Sequence, residues 1–378
     1  MKKVKIVHAS DLHFDTPFKD IGEKQRKVNK EELKKVFNNI INYCKEKNVD
    51  ILLLSGDIFD NYTLNKETLY FIEETLKTIN TIRVFISPGN HDPYNNNSFY
   101  KLVNWPPNVH IFKGDIERIY IEELGVNVWG AAFNNKYVNE SLLEGFNCGV
   151  NNEINIMVLH GEISNSQGGN NYNPITLKDI ENSGLDYLAL GHRHGYSNIN
   201  SIGKTSYAYS GCPQGRGFDE LNEKGIIYGY VYKGGVDLDF IKTSLREYRE
   251  INIDVTSTRT YEEIKNRIIS DIDDKERNIN LYKIILTGEV DSNFNIDEDI
   301  VNEKIKDDFY FCKVIDKTRY KYDFEEISKG YSVKATFAQK LIDKLEEAET
   351  EEEKEIISMA LKYGIASLSE EEVTLDDN

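Results

Sequence analysis

Apolar runs punctuate the first 245 residues, and each stops at a short polar cluster. They span 3–9, 50–55, 82–87, 154–159 and 186–190. Runs this long without alternation suit strands buried on both faces, as in a largely parallel sheet. Between them, 30–46, 66–80 and 175–183 carry the period of amphipathic helices. Residues 108–133 read differently, with short strands at 109–112, 119–121 and 126–129. A later meander covers 207–210, 225–232 and 236–241, with Gly234-Gly235 as a turn. The mixture predicts an α/β fold in which two sheets pack face to face between flanking helices.

The texture changes near Arg246. Ile251 to Val255 alternates as a half-buried strand, followed by a helix pattern at 261–270 and a strand at 281–290. A second helix at 297–306 and a strand at 311–315 complete a small β-α-β-α-β unit. The charged stretch 317–330 reads as a linker. Beyond it, Phe337, Leu341 and Leu345 mark one amphipathic helix, and Ile356, Ile357, Met359, Ala360 and Tyr363 mark another. Three parts follow: a domain over 1–245, a small α+β domain over 246–330, and C-terminal helices with an acidic tail over 331–378.

Length and composition agree with two domains and a tail. The chain has 378 residues, 39% of them hydrophobic, which is enough for sizeable cores. No run approaches the ~18 apolar residues of a membrane helix. The opening Met1-Lys2-Lys3 superficially resembles a leader, but its apolar stretch breaks at His8 and reads as a first strand. Cys44, Cys148, Cys212 and Cys312 are scattered with no paired spacing, as expected of free thiols in the cytoplasm. The net charge is −18, and residues 343–378 alone hold 13 acidic against 3 basic side chains. The rest carries no strong basic stripe of the kind that marks an independent nucleic-acid binder.

The polar clusters that stop the runs change the picture most. They are Asp11-Leu12-His13, Gly56-Asp57, Gly89-Asn90-His91-Asp92, His160-Gly161 and Gly191-His192-Arg193-His194, and they hold five of the seven histidines. Each falls at the carboxyl end of an expected strand, where open α/β sheets bind ligands. Asp11 and His13 are two apart, so both can reach one ion, and His192 and His194 are again two apart. Asp57 can bridge two ions, Asn90 offers an amide oxygen, and His160 closes its strand. The set predicts two divalent metals about 3.5–4 Å apart. Nitrogen and oxygen donors without thiolate favour manganese, iron, zinc or cobalt. His91 directly follows a ligand and so points elsewhere, placed to protonate a leaving oxygen, with Asp92 holding its tautomer. His8 and His110 read as packing residues, Asp15 and Asp60 as turn or supporting residues, and Arg193 as a candidate substrate contact.

These five motifs, in this order, resemble the calcineurin-like metallophosphoesterase superfamily. Together with Tyr209-Ser210-Gly211-Cys212-Pro213-Gln214-Gly215-Arg216 they resemble its SbcD-type DNA repair nucleases, in the YhaO-like branch. The resemblance implies a four-layer α/β/β/α sandwich with a small capping domain. It implies one metal, expected to be manganese, on Asp11, His13, Asp57 and His194, and a second on Asp57, Asn90, His160 and His192, with His91 as the catalytic imidazole. It further implies exonuclease activity on DNA ends, an SbcC-type SMC-like ATPase docked on the C-terminal helices, and a homodimer. Those helices alternatively fold back on the chain's own surface. Two other functions remain open: a phosphodiesterase or phosphatase acting on a small molecule or protein, and a non-enzymatic subunit of an ATPase.

Overall fold

A computed structural model describes residues 2–19, 21–60, 65–164, 171–291 and 294–369. The chain divides into two compact units, 1–250 with 279–281, and 251–278 with 282–378.

The first unit is built on two six-stranded sheets. The first sheet contains β1 (Lys3–Ala9), β2 (Ile51–Leu54), β3 (Arg83–Ile86) and β4 (Val109–Ile111), all parallel. The second sheet begins with β5 (Glu117–Ile121), β6 (Val126–Gly130) and β7 (Ile154–His160). After the short parallel pair β8 (Glu162–Ile163) and β9 (Pro174–Ile175), it continues with β10 (Tyr187–Gly191), β11 (Asn200–Ile202) and β12 (Thr205–Tyr209). The chain then returns to the first sheet as β13 (Gly225–Tyr232) and β14 (Gly235–Lys242), a hairpin placed antiparallel to β1. The strand orders are β14-β13-β1-β2-β3-β4 and β11-β12-β10-β7-β6-β5.

Alternation sorts the side chains of these strands. Ile6, Ile51, Leu53, Val128, Ile156, Val158 and Ala189 meet in one buried cluster between the two sheets. Each Ile, Leu or Val among them contributes about 1.5–3 kcal/mol on burial. Helix α1 (Glu23–Glu46) covers the outer face of the first sheet, with Tyr43 edge-on to Tyr228 of β13 at 5.1 Å. Phe37 of α1 meets Phe71 of α2 (Lys66–Lys77) at 6.2 Å. On the far side, Ile180 of α3 (Leu177–Asn182) packs with Met157, Leu159, Leu188 and Leu190 of the second sheet. The layers are therefore helix, sheet, sheet, helix. His8 is fully buried in β1, and its Nδ1 lies 2.9 Å from Tyr187 Oη of the facing sheet.

The second unit takes up β15 (Tyr248–Asp254), whose sheet is completed by β16 (Leu281–Thr287) and β18 (Phe311–Asp316). Helices α4 (Tyr261–Asp271), α5 (Asp274–Ile279) and α6 (Glu298–Ile305) accompany it. Ile253, Ile264, Ile268, Ile284, Leu286 and Val301 form its core. Two expectations need correction. The strand expected over 281–290 breaks at Gly288 (φ 98°), giving β16 and a separate β17 (Glu289–Asp291). Residues 317–330 are not a plain linker: β19 (Arg319–Lys321) pairs with β17, and α7 (Phe324–Ser328) follows.

The C-terminal helices are α8 (Val333–Glu347) and α9 (Glu351–Leu368). Ala338, Leu361 and Ile365 are buried together, against Phe324 and Ile327 of α7 and Phe337 and Leu341 of α8. Gly364 makes this approach possible, because a Cβ there would collide with the Phe337 ring. The Ile356 and Met359 side of α9 stays exposed. Residues 370–378 of the acidic tail lie outside the described residues. Among the described residues, no helix is long and apolar enough to cross a membrane.

Candidate metal centre

Five strand ends of the first unit bring the motif residues together. Asp11 and His13 follow β1, Asp57 follows β2, Asn90 follows β3, His160 ends β7, and His192 and His194 follow β10. Past β1 the ladder continues as loop-to-loop pairing: Asp11 N donates to Gly56 O (3.0 Å) and His13 N to Asp57 O (2.9 Å). Asp11, His13, Asp57 and His192 all have positive φ, at 54°, 44°, 51° and 115°. Such strain in non-glycine residues persists only where surrounding structure enforces it, and it clusters at functional sites. The two sheets also approach very closely here. A Cβ at Gly191 would overlap Ser55 O, and one at Gly89 would crowd the His160 ring.

The side chains converge on two spots. In the first, His13 Nε2 lies 3.6 Å from Asp57 Oδ2 and 4.0 Å from Asp11 Oδ1, and His194 Nε2 is also 4.0 Å from Asp11 Oδ1. In the second, His160 Nε2 lies 3.4 Å from Asp57 Oδ2 and 2.9 Å from Asn90 Oδ1, and His192 Nδ1 is 3.3 Å from that amide oxygen. Ligands of one ion, each about 2.1 Å from it, stand about 3.0–3.5 Å apart, so the second spot is close to shared coordination and the first is slightly wider, its Asp11, His13 and His194 donor atoms all lying within 4.8 Å of one another. Asp57 stands between the two spots.

The proton inventory supports the same reading. His160 Nδ1 lies 2.9 Å from Ser55 O, which can only accept, so Nδ1 carries a proton and Nε2 is the ring nitrogen that faces Asn90 and Asp57. His13 Nε2 is buried and has no hydrogen-bond partner. Burial, aided by Arg216, lowers the His13 pKa to about 3, and burial with neighbouring His160 lowers His192 to about 4. Both are neutral imidazoles, the form that binds metal. Burial pushes the Asp57 carboxyl well above its usual range, and Asp92 and Asp11 add to this. A buried carboxylate among carboxylates is costly unless a cation joins it. Residues Asp11, His13, Asp57, Asn90, His160, His192 and His194 therefore fit a pair of divalent cations.

Supporting residues complete the site, and here the expected roles need correction. Asp92 does not hold His91. Its carboxylate accepts from the backbone of Gly89 (2.7 Å) and Ile58 (2.7 Å) and from Tyr100 Oη (2.6 Å), which fixes the Asn90 loop against the Asp57 loop. Asp60 takes the role expected of Asp92, with Oδ1 2.9 Å from His91 Nδ1 and 3.6 Å from His13 Nδ1. Burial alone would lower the His91 pKa, but Asp60 and Asp57 outweigh it and hold it above the ordinary histidine value. Glu220, buried and outside every motif, sits 2.8 Å from His194 Nδ1 and is clamped by Arg216. Its only sequence signal is the four-residue spacing from Arg216. Ser10 Oγ donates to Asp11 Oδ2 at 2.5 Å. Arg193 points out of the site, with its guanidinium over the Tyr209 ring at 5.4 Å and 3.4 Å from Glu162.

Comparison with known proteins places this geometry. The model of the calcineurin-like phosphoesterase family matches residues 4–196, a span that holds every one of the seven donors. The chain is 28% identical over 262 residues to the uncharacterised metallophosphoesterase YhaO of Bacillus subtilis, covering 67% of this chain and 64% of that protein. It is 24% identical over 249 residues to the SbcD component of the nuclease SbcCD from Staphylococcus epidermidis, covering 58% of this chain and 64% of that one. The match thus spans just under two thirds of each relative.

Proposed function

The chain belongs to the calcineurin-like phosphoesterases, and on that footing we propose that it is a dinuclear-metal nuclease that hydrolyses DNA phosphodiesters at strand ends. The observation that carries the hydrolytic part is the double convergence of donors on Asp57. Asp11, His13, Asp57 and His194 would hold one cation, and Asp57, Asn90, His160 and His192 the other. Such a pair, when bound, neutralises phosphate oxygens and activates water for in-line attack. Manganese is the proposed metal. His91, with Nδ1 held by Asp60 and its pKa raised, stands at the half-exposed rim and supplies the proton that the departing oxygen needs. Asp92 acts by fixing the loop that presents Asn90 and His91.

DNA as the substrate rests on the likeness to the SbcD component of the nuclease SbcCD and on the Ser210-Gly211-Cys212-Pro213-Gln214 segment beyond the last donors. The second unit and the C-terminal helices favour it too, since a small phosphoester requires neither. The exposed Ile356 and Met359 face of α9 is the proposed dock for an SMC-like ATPase, which would offset the weak basic character of the chain. The test is manganese-dependent cleavage of an end-labelled duplex by the parent and by His91→Ala, with bis-para-nitrophenyl phosphate as a small control ester. Degradation of DNA that disappears in the variant is expected. Turnover of the small ester with DNA untouched would transfer the reading to a small-molecule phosphodiesterase.

A further inference from the structure

Two aromatic rings lead outward from the donor cluster. Tyr172 lies 5.0 Å from the His192 ring, tilted by 33°, and Tyr137 lies 5.8 Å beyond Tyr172. Lys136 Nζ sits over the Tyr137 ring at 5.5 Å. The main chain ties these rings to the site. Val138 and Tyr172 form a β-bridge, and Asn173 N donates to Val138 O at 2.7 Å. The fully buried Asn173 side chain donates to His160 O at 2.7 Å and accepts from Leu142 N at 2.7 Å. The ring pair is thereby registered to the strand that carries His160.

A ring recruited only to cover His192 would end the series at Tyr172. Tyr137 continues it while remaining 51% exposed, and it lines a 360 Å³ cavity. Beside apolar walls, that cavity presents Asn134, Asn135, Asn139, Asp115 and Glu140. Its polar lining can both donate and accept: the three amides do both, and the two carboxylates accept from amines. An open aromatic face beside such groups matches a nucleobase, which has a π-face for stacking and a polar edge for hydrogen bonds.

We propose that Tyr137 and this cavity receive an unpaired nucleobase of the strand whose phosphate lies at the metal centre. The proposal rests on the nuclease reading above and narrows it to single strands, overhangs or frayed ends, because a paired and stacked base cannot offer its face. Stacking tolerates all four bases, so the site selects strand form more than sequence.

The test uses the full-length, manganese-loaded protein and a short labelled single strand in which one abasic position is moved along the sequence. For the parent, kcat/KM on the intact strand is expected to fall about ten-fold when the abasic position occupies the Tyr137 site. Tyr137→Ala should lose a similar factor on the intact strand and show no further penalty from the abasic position. Tyr137→Phe, which keeps the ring, should restore both the rate and the abasic penalty. Equal abasic penalties in parent and Tyr137→Ala would overturn the proposal while leaving the nuclease reading intact. A parent that turns over bis-para-nitrophenyl phosphate but cleaves no DNA, single- or double-stranded, would overturn both.

Discussion

The two units bury different things. The second packs a hydrocarbon core of Ile253, Ile264, Ile268, Ile284 and Val301 that asks for nothing beyond itself. The first does the same between its sheets, and then at their carboxyl ends it also buries Asp11, His13, Asp57, Asn90 and His160, each at most 5% exposed. Hydrocarbon burial stabilises wherever it occurs. Ionisable groups facing each other out of water cost stability unless something of opposite charge joins them. The difference marks which end of which unit was shaped by a ligand, and which parts serve as scaffold.

The comparison breaks most visibly at Asp57. Asp57→Ala removes the donor between the two spots, so hydrolysis is expected to fall to background and metal content to collapse. The metal-free variant should melt no lower than the metal-free parent, because an unfavourable buried carboxylate has gone. Undiminished activity, or a large loss of metal-free stability, would refute the contrast. His91→Ala is the next largest effect: kcat should drop by about 10²–10⁴-fold with the metal content kept, since the role proposed for it is proton transfer. Elemental analysis beside the kinetics separates the two variants. In the second unit, Ile284→Ala should act through stability, costing about 2–5 kcal/mol in denaturant unfolding. The smallest effect belongs to the α9 cap. Thr350 accepts from Glu353 N and completes a capping box, so Thr350→Ala should cost about 1 kcal/mol and speed amide exchange in α9.

The main strands of the sandwich were legible because their apolar runs are buried on both faces, a pattern that survives without context. What escaped was short or polar. Residues 23–29 of α1 carry Lys, Gln, Arg and Asn with little apolar period, so the helix starts earlier than its pattern suggests. β19 and α7 have three and five residues, too few to show a period, and their charges imitate a linker. Gly288 splits a seemingly continuous strand because its backbone turns to φ 98°, and only glycine fits there, since a Cβ would collide with Asp254 and Thr256. In the site, the donors announced themselves by type and spacing, but their supports did not. Asp92 lies inside a motif beside His91 and Asp60 three residues past Asp57, and only the loop paths decide that Asp60 meets His91 while Asp92 turns inward to backbone amides and Tyr100. Glu220 reaches His194 from 26 positions downstream. Tyr137 and Tyr172 come together through a β-bridge that no local pattern encodes.

The donors are divided between the sheets. The first contributes Asp11, His13, Asp57 and Asn90, and the second His160, His192 and His194. Asp11 and His194 stand 183 positions apart in the chain, so neither sheet alone gathers the set. During synthesis no early fragment holds the complete donor set. The loop between first and last donor must close before the centre exists, and hydrophobic docking of the sheets has to supply that closure. The complete donor set therefore exists only in a molecule whose two sheets have joined in register, which makes that union the checkpoint for the site. Copies whose sheets have not met lack the complete site.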